Sequence, residues 1–423
     1  MAISRDFFPS SSSFSIGSFS VNSFSAIGAC ILGITQLTGC ASSSVTTTSP
    51  AAPSENISDN ISETTSNQQL AQRPAPQLIT LVESLEHPWG MTWLPDGTLL
   101  VTERPGRLRV IKQGVLDPTP ISGLPAVFSR GQGGLMDVST HPQFADNQWV
   151  YFTYADGTGS ANRTQVARAK FDGEALSEWQ VIFEVNRTKE GTQHFGSRLV
   201  WMPDNTLLVS IGDGGNPPVS LEGDFIRNQA QNLSSHLGSL IRIKDDGSAP
   251  TDNPFVNTPN ADQSIWSYGH RNIQGVAIDA ETGQVWATEH GARGGDELNQ
   301  IAAGENYGWP LVTYSREYFG GEISSERSRP GMIDPLVVWT PSIAPSGLMV
   351  YRGDRIPQWQ GDLFAGGLVS KSIQHIKLDD SGTVLSQTPI NIGQRVRDVA
   401  QGPDGLVYIL TDEPNGHLMQ LKP

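Results

Sequence analysis

Cysteine is nearly missing from this 423-residue chain: Cys30 and Cys40 are the two, and none follows. Beyond residue 40 the fold can therefore draw on neither disulfides nor reactive thiols. Basic residues are also few, with 28 Lys and Arg against 43 Asp and Glu and a formal net charge of −15. Nucleic acids and anionic membranes would be repelled by that balance, whereas a small neutral substrate would not. A dinucleotide fingerprint is lacking too. "GDGGN" (212–216) follows an apolar run but has neither the spaced third glycine nor the helix that a phosphate cradle requires. Helix-forming periodicity is sparse, while 44 glycines and 28 prolines favour short strands joined by turns.

What is present begins with an apolar N-terminal run, "FSAIGACILGITQLTGC", ending in Leu37-Thr38-Gly39-Cys40. It is shorter and more polar than a spanning helix requires. The run resembles a bacterial lipoprotein signal, which implies cleavage of residues 1–39 and lipidation of Cys40, the alternatives being a plain secretory signal or a short anchor. The implied location is exported, periplasmic or on the cell envelope. Residues 40–77 are rich in Ser, Thr, Pro, Asn and Gln and cannot bury enough apolar surface to offset their ordering entropy. They read as a flexible tether with a coil dimension of about 30 Å.

Residues 78–423 read as one catalytic domain built from a recurring unit. "WGMTWLPDGTLLVTERPGRLRVI" (89–111) is strand, Pro-Asp-Gly turn, strand, second turn, strand. Related units occupy 134–154, 197–215, 274–291, 347–378 and 397–421. Asp-Gly and Asp-Asn between short apolar runs are hairpin signals, because these residues tolerate positive φ. Six copies predict an all-β, six-bladed β-propeller with four-stranded antiparallel blades, since radial repetition leaves few open edges. The runner-up is a pair of β-sandwiches. The extra length falls in loops at 216–265 and 310–340.

In a propeller, loops around one mouth of the channel gather polar groups from distant segments. Five segments qualify: Gln132 in "RGQGGL"; His194 with Asp213; Arg271 and Asn272 in "YGHRNIQG"; the glycine-rich "EHGARGGDE"; and Arg395 with Arg397 in "QRVRD". A histidine that titrates near neutral pH, set against an aspartate, suits general-base chemistry, although a turn-capping role is equally compatible with the two residues alone. Arg395 and Arg397 alternate on a strand and so share a face, a pattern fit for carboxylates or for surface ion pairs.

The segments "GQGGLMDVSTHPQF", "HFGSRLVWMPDNTLLVSIGDGG", "LGSLIRIKDDGSAPTDNPF", "YGHRNIQGVAID", "EHGARGGDELNQIAAGENYGWP", "WTPSIAPSG" and "RVRDVAQGPDGLVYILTD" run in order across the domain. Together they resemble the soluble quinoprotein aldose dehydrogenases of the glucose/sorbosone dehydrogenase family, which use pyrroloquinoline quinone (PQQ). The resemblance implies a six-bladed propeller that oxidises the anomeric hydroxyl of aldose sugars to lactones and passes electrons to an external acceptor. It assigns His194 as general base with Asp213 as its orienting partner. Arg271, Asn272, Gln132, Arg395 and Arg397 would contact the quinone. Carbonyls of Gly291 and Ala292 would hold a Ca2+ acting on the quinone oxygen, and Glu297 with the Tyr307 carbonyl would form a second calcium site. One departure stands out. The family lysine that contacts the quinone corresponds to Val369, with Lys371 two residues on as a candidate replacement. Trp339 is a candidate for the substrate face, where an aromatic packs on a sugar ring, or for the core. Two other function classes compete: a calcium-dependent propeller hydrolase such as a lactonase, and a non-catalytic binding propeller. The arginine set disfavours the hydrolase, because a neutral lactone needs no group of cations.

Overall fold

A computed structural model describes residues 77–215 and 219–422. The signal, Cys40 and the tether up to residue 76 lie outside the described residues, while Gln77, read as the end of the tether, belongs to a strand. Six four-stranded antiparallel sheets succeed one another along the chain. Blade I comprises Pro88–Trp93, Leu99–Glu103, Arg107–Lys112 and Val115–Leu116; blade II comprises Leu135–Thr140, Trp149–Gly157, Asn162–Phe171 and Leu176–Glu184. Blade III comprises Leu199–Trp201, Leu207–Ile211, Ser239–Ile243 and Ile265–Tyr268; blade IV comprises Ile273–Ile278, Val285–Glu289, Asp296–Ile301 and Val337–Trp339. Blade V comprises Pro345–Val350, Leu363–Gly367, Ser372–Leu378 and Val384–Asn391. Blade VI takes Val396–Gln401, Val407–Thr411 and Gly416–Lys422 from the end of the domain and Gln77–Leu85 from its start. Gln77 pairs with Lys422 and Leu78 with Leu421, which closes the ring. The first strand of each blade touches the first strand of the next around the whole circle. Two separate sandwiches are thereby excluded.

The turns show why the repeat was visible. In blades I, III and VI the aspartate after Pro95, Pro203 and Pro403 accepts the backbone N–H two residues on, as in Thr98 to Asp96 at 2.9 Å. The residue following it (Gly97, Asn205 or Gly405) has φ of +85°, +62° or +74°. That left-handed conformation is what Gly and Asn supply cheaply. Apolar clusters fill the spaces between neighbouring blades, for example Leu100, Leu108, Val138, Phe152 and Phe171 between I and II.

Buried polar contacts stitch the inner strands together. Hydroxyls on second strands donate to a backbone carbonyl of the following blade: Thr102 to Met136, Thr153 to Ser197 at 2.7 Å, Ser210 to Ile273 at 3.1 Å and Thr288 to Ser346 at 3.3 Å. Blade V has Gly366 on its second strand, and Ser346 of its inner strand instead bonds the Val396 carbonyl at 2.7 Å. At the axis, Arg198 reaches Asp137 of blade II at 3.2 Å, Asp398 of blade VI at 3.0 Å and the Gln274 carbonyl of blade IV at 3.2 Å. Its guanidinium also lies 4.5 Å from the Trp89 ring of blade I. Burial drives Asp137 up to about 6, with Arg198 opposing and Asp398 reinforcing the rise. Removing one member of such a cluster strands the rest. Arg198→Leu should therefore lower unfolding stability by about 3–5 kcal/mol in denaturant titrations, and a change below about 1 kcal/mol would show that the cluster holds little.

Candidate active site

Antiparallel pairing places the start of each inner strand beside the end of the second strand, so both reach the same rim. His194 lies ahead of the inner strand of blade III and Asp213 just beyond its second strand. The turn between them is tight: His194, Gly196 and Ser197 have φ of +52°, +65° and +90°. Positive φ at histidine is unfavourable and has to be over-determined by its surroundings. Gln132 Oε1 accepts the His194 N–H at 2.8 Å, and Asn272 Oδ1 accepts that of Gly196 at 3.1 Å. Gly212 lies beneath, where any Cβ would strike the His194 carbonyl.

The side chains then meet. Nδ1 of His194 lies 2.6 Å from Asp213 Oδ1, and both residues are buried. Trp309 donates its indole N–H to Asp213 Oδ2 at 2.9 Å, and the Gly215 N–H reaches Oδ1 at 3.2 Å. The carboxylate is thus held on both oxygens, and it fixes the imidazole with Nδ1–H towards Asp213. Nε2 makes no hydrogen bond among the described residues. Burial, followed by the Arg271 guanidinium, lowers the His194 pKa, with Asp213 opposing.

Arg271 comes from the approach to blade IV. Its guanidinium donates to the carbonyls of His290, at 3.0 Å, and Gly291, and lies 5.3 Å from the Trp309 ring. Asn272 is buried with its Nδ2 unpartnered. Arg397 of blade VI bonds Asp412 at 3.0 Å and Gln274 Oε1 at 2.9 Å, leaving a buried Nε without a partner. Arg395 reaches Asp412 at 3.4 Å. A cavity of about 240 Å³ is lined by Gln132, Arg395 and Arg397 together with Arg104, Gln274, His290 and Asp412, and by Trp89, Met136 and Phe195. A wider one of about 720 Å³ adjoins it, sharing His290, Ala344 and Val369. Three guanidinium groups against one carboxylate give this mouth a positive balance on an acidic chain. The unpartnered Arg397 Nε and an aromatic wall suit a flat anionic ring, so this lining fits the quinone, while His194, Asp213, Arg271 and Asn272 lie outside the lining of both cavities.

The predicted metal ligands divide into two places. Gly291 and Ala292 line the wider cavity, and Gly291 is packed so that a Cβ would strike the carbonyl oxygens of Gly294 and Gly295. The Gly291 carbonyl faces a positive group already, which matches the donor set of a hard cation. Glu297 and Tyr307 line another, much smaller cavity with Glu289, and Gly291 borders that one too. Asn299 Nδ2 bridges Glu289 at 3.0 Å and Glu297 at 3.3 Å, while its buried Oδ1 is orphaned. Burial and the neighbouring Glu289 push the Glu297 carboxyl well above its usual range. Glu289 is itself held by His270 Nδ1 at 3.1 Å and the Arg271 N–H at 2.6 Å, so the Glu297 carboxyl and the spare Asn299 carbonyl are the oxygens left for a cation. Among the described residues no group of three or more His, Cys, Asp or Glu side chains is arranged to hold a metal, so backbone oxygens would have to contribute.

Two expectations are corrected. Trp339 is not at the cavity: it is buried among Ala277, Trp286, Leu298 and Leu348, and its indole bonds Gln387 of blade V at 3.0 Å. It lies on an outer strand, where an apolar face meets the next blade. Lys371 is exposed on a turn at φ +53°, and its carbonyl receives the N–H groups of Ile392 and Gly393 at 3.0 Å; it lines neither cavity. Val369 lines both, so no lysine replaces the family one there. The reading from sequence also missed Trp309, Arg104, His290 and Asp412. Trp309 and His290 lay inside the quoted segment "EHGARGGDELNQIAAGENYGWP", where only their meeting with Asp213 and the cavity reveals a role. Burial drives the His290 imidazole down to about 4, and its Nε2 bonds the Pro345 carbonyl at 2.7 Å.

Known proteins resemble this chain throughout the propeller. An uncharacterized protein of Synechocystis sp. is 60% identical over 85% of this chain and 90% of its own. The aldose sugar dehydrogenase YliI of Escherichia coli is 37% identical over 81% of this chain and 92% of its own. The PQQ-bound aldose sugar dehydrogenase of Streptomyces coelicolor superposes with a TM-score of 0.66 at 25% identity, covering 82% of this chain and 98% of that one. The family profile described as Glucose / Sorbosone dehydrogenase matches residues 85–420, and the chain belongs to that family of oxidoreductases.

Proposed function

We propose that the protein oxidises the anomeric C1 hydroxyl of aldose sugars to the lactone, using PQQ and calcium, and hands the electrons to an external acceptor. The observation that carries this reading is the buried His194–Asp213 pair, whose turn is braced by Asn272 and by Gln132, a residue that also lines the cavity of Arg395 and Arg397. When bound, the quinone supplies the acceptor for the C1 hydride. Gln132, Asn272, Arg271, Arg395 and Arg397 hold it, and their cationic groups match the charge it gains on reduction. Gly291 and Ala292 would bring the catalytic calcium, and Glu297 with the Tyr307 carbonyl the structural one. His194 Nε2 takes the hydroxyl proton. Asp213 stabilises the resulting imidazolium, and Trp309 keeps that carboxylate aimed. Burial and the Arg271 charge keep the imidazole neutral below the ordinary histidine pKa, so the base is ready before the substrate arrives.

We also propose that Cys40 anchors the protein to the cell envelope, on the strength of the apolar run ending in Leu-Thr-Gly-Cys. Replacing Cys40 by Ala should move the protein from the membrane fraction to the soluble fraction; unchanged fractionation would remove the anchor.

Purified protein supplied with calcium and PQQ should reduce an artificial dye in the presence of aldose. Activity without quinone, or none with it across a panel of aldoses, would reject the reading. His194→Ala should cut turnover by at least ~10²-fold. The rate should fall on the acid side as His194 gains its proton, with the midpoint of kcat/KM below 6.5, because the group is shifted down from that value. A midpoint above it would reassign the base.

A further inference from the structure

A third charged residue adjoins the His194–Asp213 pair and has no part in the chemistry above. Lys189 lies on the segment entering the catalytic turn. Its backbone is fixed by a reciprocal pair of bonds with Asn162, at 2.9 Å and 3.0 Å. Its side chain turns inward and is 4% exposed. Nζ is buried, has no hydrogen-bond partner among the described residues and stands 3.9 Å above the Phe195 ring. Cδ packs on Gly214, where a Cβ would come within 2.9 Å of it. Phe195 directly follows His194 and Gly214 directly follows Asp213, so this one side chain lies against the neighbour of each member of the pair. A buried ammonium without a partner is costly, and a methionine would fill the same space without that cost.

We propose that Lys189 is an electrostatic positioning residue for the His194–Asp213 pair: its buried charge, packed against the residue that follows each member, joins that of Arg271 in disfavouring a second proton on the imidazole. The proposal rests on the reading of His194 as the base. The imidazole is faced by Asp213, by Arg271 and His290 from the blade IV side, and by Lys189 from the blade II side. The amine is faced by Asp213 among charged groups; its other neighbours, Phe195, Ile226 and Asn162, are neutral. Burial brings the amine down to about 7, with Asp213 opposing. Lys189 is therefore charged across the acid range in which His194 titrates, and its influence fades above neutrality.

Two variants test this, Lys189→Met and Lys189→Arg, each with two readouts. The first is NMR titration of the His194 ring in protein without quinone; the second is the pH profile of kcat/KM in the reconstituted enzyme. Lys189→Met should raise the His194 midpoint and carry the acid limb of the rate profile with it, costing roughly two- to tenfold in turnover on the acid side. Its unfolding midpoint should equal or exceed that of the native protein. Lys189→Arg, which keeps the charge at every pH, should restore the His194 midpoint. An unmoved midpoint in folded Lys189→Met overturns the proposal, as does an arginine variant no closer to native than the methionine one. Loss of stability in Lys189→Met overturns it too, since the residue would then be a structural anchor. A shifted ring titration that the rate profile fails to follow upholds the role of Lys189 and removes His194 as the base.

Discussion

Radial sheets meet at a narrow axis where backbone and side chains leave little room for water. Any charge placed there must find its partner inside the protein. Arg198 meets that constraint by engaging Asp137, Asp398 and the Gln274 carbonyl, from blades II, VI and IV, while lying on Trp89 of blade I. Because Arg198 immediately precedes the inner strand of blade III, only four residues after His194, the same contacts that hold the axis also hold the His194 turn. The hydroxyl bonds from one blade to the next repeat the principle with neutral groups. Apolar packing between blades supplies bulk stability, and these polar links set the angular relation between blades.

The site inherits that precision. His194 sits in a backbone conformation that histidine alone would avoid, and it is kept there by Gln132 of the loop before blade II and Asn272 of the approach to blade IV. Both belong to the set proposed for the quinone. Residues proposed to hold the cofactor thus also brace the proposed base, so in that reading one network positions both halves of the reaction. Trp309 extends this logic from a long excursion within blade IV, reaching back to Asp213.

Fold and rim were largely legible because they depend on local chemistry that recurs. Asp-Gly and Asp-Asn turns announce hairpins whatever lies around them, and six copies left one economical closure. Partnership across blades was less legible. Trp339 and Trp309 are the same residue type in neighbouring segments, yet one seals two blades and the other orients a carboxylate, and only the three-dimensional path decides between them. Lys371 failed as a candidate because its backbone caps a turn, a role that any residue tolerating positive φ can fill. Lys189 escaped notice for the opposite reason: a lone lysine among polar residues reads as a solvated side chain, and its burial arises from Phe195 and Gly214, brought over it by the catalytic turn.

The closure of blade VI carries a consequence for how the molecule is made. Its outer strand comes from the first described residues and its inner three from the last, so Gln77 finds Lys422 only when nearly the whole domain is in place. Until then the growing structure is an arc with a bare apolar blade face at each end, Leu99, Val101 and Ile111 of blade I lacking Leu410 and Leu418 of blade VI, a shape prone to association with other chains. Synthesis from the N-terminus therefore leaves the earliest strand waiting for the latest, and the ring snaps shut as a final, long-range event.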